Sequence, residues 1–131
     1  AFLFVRDSVV SIDTVKGSSM SPSLSASAHE SGEHDRVRIR RGKATRNLRR
    51  GDIVTFWKPH KPDEISIKRI VGVEGDIVYP KRGYADGAVV VPYGHVWVEG
   101  DNWRKSFDSN DFGPISKALI DGKATRVWRG W

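Results

Sequence analysis

Three places in the chain bring together side chains able to do chemistry. "GSSMSPSL", residues 17–24, sets two adjacent serines, Ser18 and Ser19, against Met20 and Leu24. "EISIKRIVGV", residues 64–73, holds one lysine, Lys68, among Ile65, Ile67, Ile70, Val71 and Val73. "GHVWVEGDNWRKSFDSNDFGPIS", residues 94–116, crowds Asp101, Asn102, Ser106, Asp108, Ser109 and Asn110 together behind a strand-like run. A serine hydroxyl is a weak nucleophile until a neighbouring base takes its proton. Desolvation disfavours an ammonium, so a lysine held in an apolar strand can be that base. Ser106 can hold the neutral amine, and the aspartates can pair with nearby arginines. Each place also has a plain reading. Ser, Gly and Pro make turns, strand lysines snorkel to water, and polar clusters knit surface loops.

Other chemistries find less support. There is no cysteine, which excludes disulfides, thiolate nucleophiles and zinc-thiolate sites. His29, His34, His60 and His95 form no i, i+4 pair and no HExxH, so neither a metal nor a cofactor is expected. A Ser-His-Asp triad stays open, because such triads assemble from distant positions. The net charge of +6 favours anionic partners. Eight Arg/Lys residues fall within 36–50. They read as a solvated strand or loop that keeps a sheet edge soluble, or as a patch for a polyanion. No aromatic residue interleaves with them, so a membrane rich in anionic lipid fits at least as well as nucleic acid.

The elements that must position these groups read as β. At 131 residues the chain fits one domain, 1–131. No segment carries a helical stripe over three turns, and alternating apolar runs predict strands over 11–16, 52–58, 64–73, 76–80, 88–92, 95–100 and 124–129. Gly51-Asp52, Gly75-Asp76, Asp86-Gly87 and Gly100-Asp101 punctuate them. The expected fold is mostly β, with antiparallel sheets or a partly closed barrel and little helix. Residues 25–50 are expected to be a variable basic loop region. The apolar start "AFLFV" is expected to end an N-terminal membrane anchor, placing that end within 1–10.

The three segments, in this order, resemble the type I signal peptidase family of serine-lysine proteases, and within it the mitochondrial inner-membrane members of the subunit 2 type. "GSSMSPSL" is similar to the family's nucleophile box, "RGDIVTFWKP" to the strand box after it, and "IKRIVGVEGD" to the box of the general base. The resemblance implies Ser19 as nucleophile, Lys68 as base and Ser106 as the residue orienting the lysine. It implies structural support from Arg69 paired with Asp101, and from Asp108, Ser109 and Asn110. It also implies a shallow apolar substrate pocket of Val15, Met20, Leu24 and Ile67. Some bacterial relatives carry an oxyanion serine where this chain has Gly17, so the oxyanion would rest on the Ser19 backbone amide, helped by Ser18. The implied substrates are precursors with cleavable sorting peptides, cut after a small residue. The implied partners are a related catalytic subunit 1, a small accessory subunit and inner membrane lipid, without nucleic acid. The implied location is the mitochondrial inner membrane, facing the intermembrane space. A bacterial-type signal peptidase, a self-cleaving repressor-type Ser/Lys protease and a basic nucleic-acid-binding β-domain are the alternatives.

Overall fold

The computed structural model describes residues 7–11, 36–102 and 106–128. Nine strands run through them: β1 (Asp7–Ser11), β2 (Arg36–Arg40), β3 (Ile53–Lys58), β4 (Lys61–Val73), β5 (Ile77–Val78), β6 (Val89–Val90), β7 (His95–Glu99), β8 (Ile115–Ser116) and β9 (Ile120–Trp128). One short helix, α1 (Ser109–Phe112), lies between β7 and β8. A seven-stranded sheet has the order β1-β2-β9-β3-β4-β7-β8, and β5 and β6 form a separate ribbon. All of the pairings are antiparallel. The mostly β, helix-poor class expected from the alternation is the one observed. None of the described helices is long and apolar enough to cross a membrane.

Within the stretch read as a basic loop, Arg36–Arg40 is a strand, and it lies between β1 and β9 rather than at an edge. The reason is the alternation Arg-Val-Arg-Ile-Arg. Successive strand residues face opposite sides, so Val37 and Ile39 are buried while Arg38 and Arg40 stay exposed. Asp7–Ser11, partly inside the stretch read as an anchor's end, pairs with β2 as β1. Most of the strand predicted over 11–16 lies outside the described residues. Strand β9 begins four residues before the predicted start, because Ile120 and Gly122 already pair with Phe56 and Thr55 of β3.

One core cluster among the described residues is Val54, Phe56, Ile70, Val96, Val98 and Ile115, contributed by β3, β4, β7 and β8. A second cluster, Val78, Val91 and Trp97, joins the ribbon to the sheet. It closes over Gly72, where a methyl group would press on Val78 and Trp97. The β4 register shifts between Ile70 and Gly72, so the long strand bends at that point. Lys68 lies just before the bend, on the stretch of β4 paired with β3.

Candidate active site

Lys68 pairs with Val54 across β3, and so shares the sheet face that carries Val54, Phe56 and Ile70. It is only 7% exposed, so this lysine does not snorkel. Burial lowers its pKa to about 8, helped by the charge of Lys58, while the negative charge of Asp108 acts in the opposite direction. An amine so placed exists in its neutral form in useful amounts near physiological pH. Its two chain neighbours face the other side of the sheet. Of these, Ile67 is buried and Arg69 reaches Asp101 through a fork, with Nε and Nη2 each 2.9 Å from a carboxylate oxygen. Arg69 Nη1 also donates to the Gly51 carbonyl at 2.8 Å.

The register that sets Arg69 against Glu99 carries Gly100 to the position across from Lys68. There the chain leaves β7 for the polar loop, which Asp108 organises. Its carboxylate is fully buried. Oδ2 accepts from the Ser106 hydroxyl at 2.6 Å and the Gly100 amide at 2.9 Å. Oδ1 accepts from the Asn110 amide at 3.0 Å, Asn110 Nδ2 at 2.9 Å and Arg82 Nη2 at 2.8 Å. Asp108 is the N-cap of α1, and Asp111 returns a bond to the Asp108 amide, completing a capping box. The Ser106 hydroxyl also accepts from the Gly100 amide at 3.1 Å.

Ser109 is buried and accepts from the Val98 amide at 2.9 Å, tying α1 to β7. Asn110, also buried, accepts from Lys81 through its side chain and from Tyr84 through its carbonyl. The loop is therefore held from both ends. Its buried residues Ser106, Asp108, Ser109 and Asn110 bond to one another and to the strand end, as buried polar groups must.

Seven of the residues singled out from sequence fall in this region: Lys68, Ser106, Asp108, Ser109 and Asn110 around one loop, with Arg69 and Asp101 paired across the sheet from it. Ile67 faces away from Lys68. Ser18, Ser19, Val15, Met20 and Leu24 lie outside the described residues. Sequence reasoning missed Arg82 and Glu99. Glu99 is buried and accepts from Trp97 Nε1 at 2.8 Å and Lys81 Nζ at 2.6 Å. Arg82 sits in the turn-rich "PKRGYADG", where no motif marks it. The signal available was the surplus of carboxylates in 99–111, which calls for cations from elsewhere in the chain. Of the histidines, His60 packs edge-on to Phe107, and His95 Nδ1 lies 2.9 Å from the Tyr93 carbonyl. Among the described residues no cluster suited to a metal ion occurs.

Comparison with known proteins gives this site a context. A family model described as "Signal peptidase, peptidase S26" matches residues 1–90 and 79–131. The chain is 40% identical over 125 residues to mitochondrial inner membrane protease subunit 2 of Schizosaccharomyces pombe, covering 95% of this chain and 68% of that protein. It is 43% identical over 122 residues to the subunit 2 protein of Mus musculus, covering 92% and 68%. Subunit 1 of the Schizosaccharomyces pombe protease also matches, at 32% identity over 125 residues, covering 95% of this chain and 77% of that protein. Among solved structures, a signal peptidase I from Enterococcus faecalis V583 shares the fold with a TM-score of 0.51 at 23% identity, covering 61% of this chain and 98% of that one.

Proposed function

Since the chain belongs to the signal peptidase family, peptidase S26, and is a serine peptidase akin to the mitochondrial inner membrane proteases, we propose that it cleaves with Ser19 as nucleophile and Lys68 as general base. The observation that carries this reading is the burial of Lys68 beside the loop clamped by Asp108. Neutral Lys68 takes the Ser19 proton and Ser19 Oγ attacks the scissile carbonyl, while the Ser19 amide and Ser18 hold the oxyanion. The resulting ammonium gives its proton to the leaving amine. Lys68, neutral again, then activates the water that hydrolyses the acyl-enzyme.

Ser106 has a defined part in this scheme. Its hydrogen is given to Asp108, so toward an amine its oxygen acts as acceptor. An N–H held there leaves the lysine lone pair free to face Ser19. The Arg69–Asp101 fork fixes the opposite face of β4, and Asp108, Ser109 and Asn110 brace the loop. The substrates in this reading are precursor proteins whose sorting peptides are removed after a small residue, seated by Val15, Met20, Leu24 and Ile67. The mitochondrial inner membrane is where this protease family branch works. The reading adds that the catalytic domain faces the intermembrane space, with the basic stretch toward anionic lipid, and that it functions beside a subunit 1 chain and a small accessory subunit.

Ser19→Ala and Lys68→Ala, made separately, test the dyad. Each is expected to abolish processing of a precursor presented in vesicles. Cleavage at the wild-type rate by either variant removes the assignment.

A further inference from the structure

We infer that Arg82 is a positioning residue for the proposed dyad, holding Asp108 and offsetting its charge so that Lys68 can serve as a base. The inference rests on the Ser19/Lys68 reading and extends it to a segment far from either residue in sequence. Arg82 comes from the connection between β5 and β6, yet its guanidinium reaches into the loop. Nη2 lies 2.8 Å from Asp108 Oδ1 and 2.8 Å from Asp111 Oδ2, and Nε lies 3.0 Å from Asp111 Oδ1. The flanking amides of Lys81 and Tyr84 donate to Asn110, so Arg82 is delivered by backbone as well as by charge.

Among the described residues, charge bears on Lys68 from β3 and from the loop. From β3 comes Lys58, ion-paired with Glu64, and from the loop comes Asp108. Behind Asp108 stands Arg82, itself in the field of Asp108, Asp111 and Glu99. A carboxylate near a lysine favours the ammonium. A cation at 2.8 Å on that carboxylate reduces the effect, and the same bond turns Oδ2 toward Ser106 and Gly100. Without Arg82 that offset is lost, and the neutral amine becomes scarcer at any given pH.

The test uses the full chain as wild type, R82Q, R82K and S19A. Precursor cleavage is followed against pH. In parallel, trace acetic anhydride labels lysines over the same pH range, and mass spectrometry reads the Lys68 midpoint without any substrate. For R82Q the acid limb of kcat and the Lys68 midpoint are expected to rise together by about one pH unit, giving cleavage about tenfold slower below the limb. KM should stay unchanged, and R82K should recover most of the shift. If R82Q fails to unfold cooperatively on heating, Arg82→Met, which keeps the apolar stem but removes the charge, takes its place with the same rise expected. A folded variant whose midpoint stays at the wild-type value overturns the inference, as does a rate loss equal at every pH. Cleavage by S19A at the wild-type rate overturns the dyad reading instead, and the substrate-free labelling keeps the two failures apart.

Discussion

The Ser106 hydroxyl donates to Asp108 Oδ2 at 2.6 Å while accepting the Gly100 amide at 3.1 Å. Two of its hydrogen-bonding positions are thus assigned by the fold, and the lone pair left over defines what Ser106 can do for Lys68. A hydroxyl that accepts an amine N–H orients the amine without taking part in the proton transfer. Ser106→Ala is therefore expected to lower kcat by about ten- to a hundredfold, the worth of one buried hydrogen bond, with little change in KM. Ser106→Thr, which keeps the hydroxyl, is expected to retain most of the rate. Steady-state kinetics on a precursor peptide checks both.

Lys68 makes both the stability and the activity of the protein rise with pH, since each improves as the buried ammonium gives way to the neutral amine. Its pKa falls from 10.5 to about 8, mainly through burial. Below pH 8 both folded and unfolded chains carry the ammonium, and the folded state bears the whole cost of burying it. Between pH 8 and 10.5 the unfolded chain binds more protons, so stability rises with pH until the cost is gone. At 1.36 kcal/mol per unit, that drop sets an upper bound of about 3 kcal/mol. Lys68→Met is expected to be inactive and, at pH 7, more stable by up to that amount, the gain vanishing by about pH 10.5. Lys68→Arg is expected to be inactive at every pH, since a guanidinium does not deprotonate. Denaturant unfolding across pH, set beside rate profiles, separates the effects.

Much of this arrangement was legible in sequence wherever a local pattern and a packing requirement agreed. The apolar run around Lys68 announced a buried strand, and the lysine is buried with Ile67 and Ile70, while Ile65 and Val71 stay exposed. The polar density after Glu99 announced a hydrogen-bonded loop, and the capping box accounts for it. What was not legible depended on long-range partners. The strand at Arg36–Arg40 was masked by its arginines, although Val37 and Ile39 already alternated with them. Arg82 was hidden more deeply, because its position depends on how the β5–β6 ribbon folds back onto α1, which no local pattern encodes. Register is set by the whole sheet, which is also why β9 starts where β3 can pair with it.

Across the sheet from Lys68, Arg69 and Asp101 form a two-bond fork, with the guanidinium also capping the Gly51 carbonyl. The pair is partly buried near the surface, so its contribution is modest, but bidentate geometry places it at the upper end for such pairs. A double-mutant cycle of Arg69→Ala and Asp101→Ala is expected to give a coupling of about 1 kcal/mol, declining in high salt. Arg69→Lys is expected to behave like Arg69→Ala, because an ammonium cannot make both bonds of the fork. Urea unfolding of the four chains at low and high ionic strength measures the coupling.

Gly113 closes α1 with φ +86 and ψ −171, a backbone region that residues with a side chain avoid. Any Cβ there would also collide with the ring of Tyr84, which packs edge-on to Trp97 at a centroid distance of 5.8 Å. Two separate costs are involved, backbone strain and overpacking, each of about 1–3 kcal/mol. Gly113→Ala is expected to destabilise the fold by about 2–4 kcal/mol, the sum reduced by whatever the ring can yield. Removing the ring tests the division: in Tyr84→Ala the same Gly113→Ala change meets no aromatic edge, so its cost should fall to the strain alone. Denaturant midpoints of the wild type, the two single variants and the double variant give the coupling. A coupling near zero would mean that the ring moves aside at no cost and that strain accounts for the whole effect.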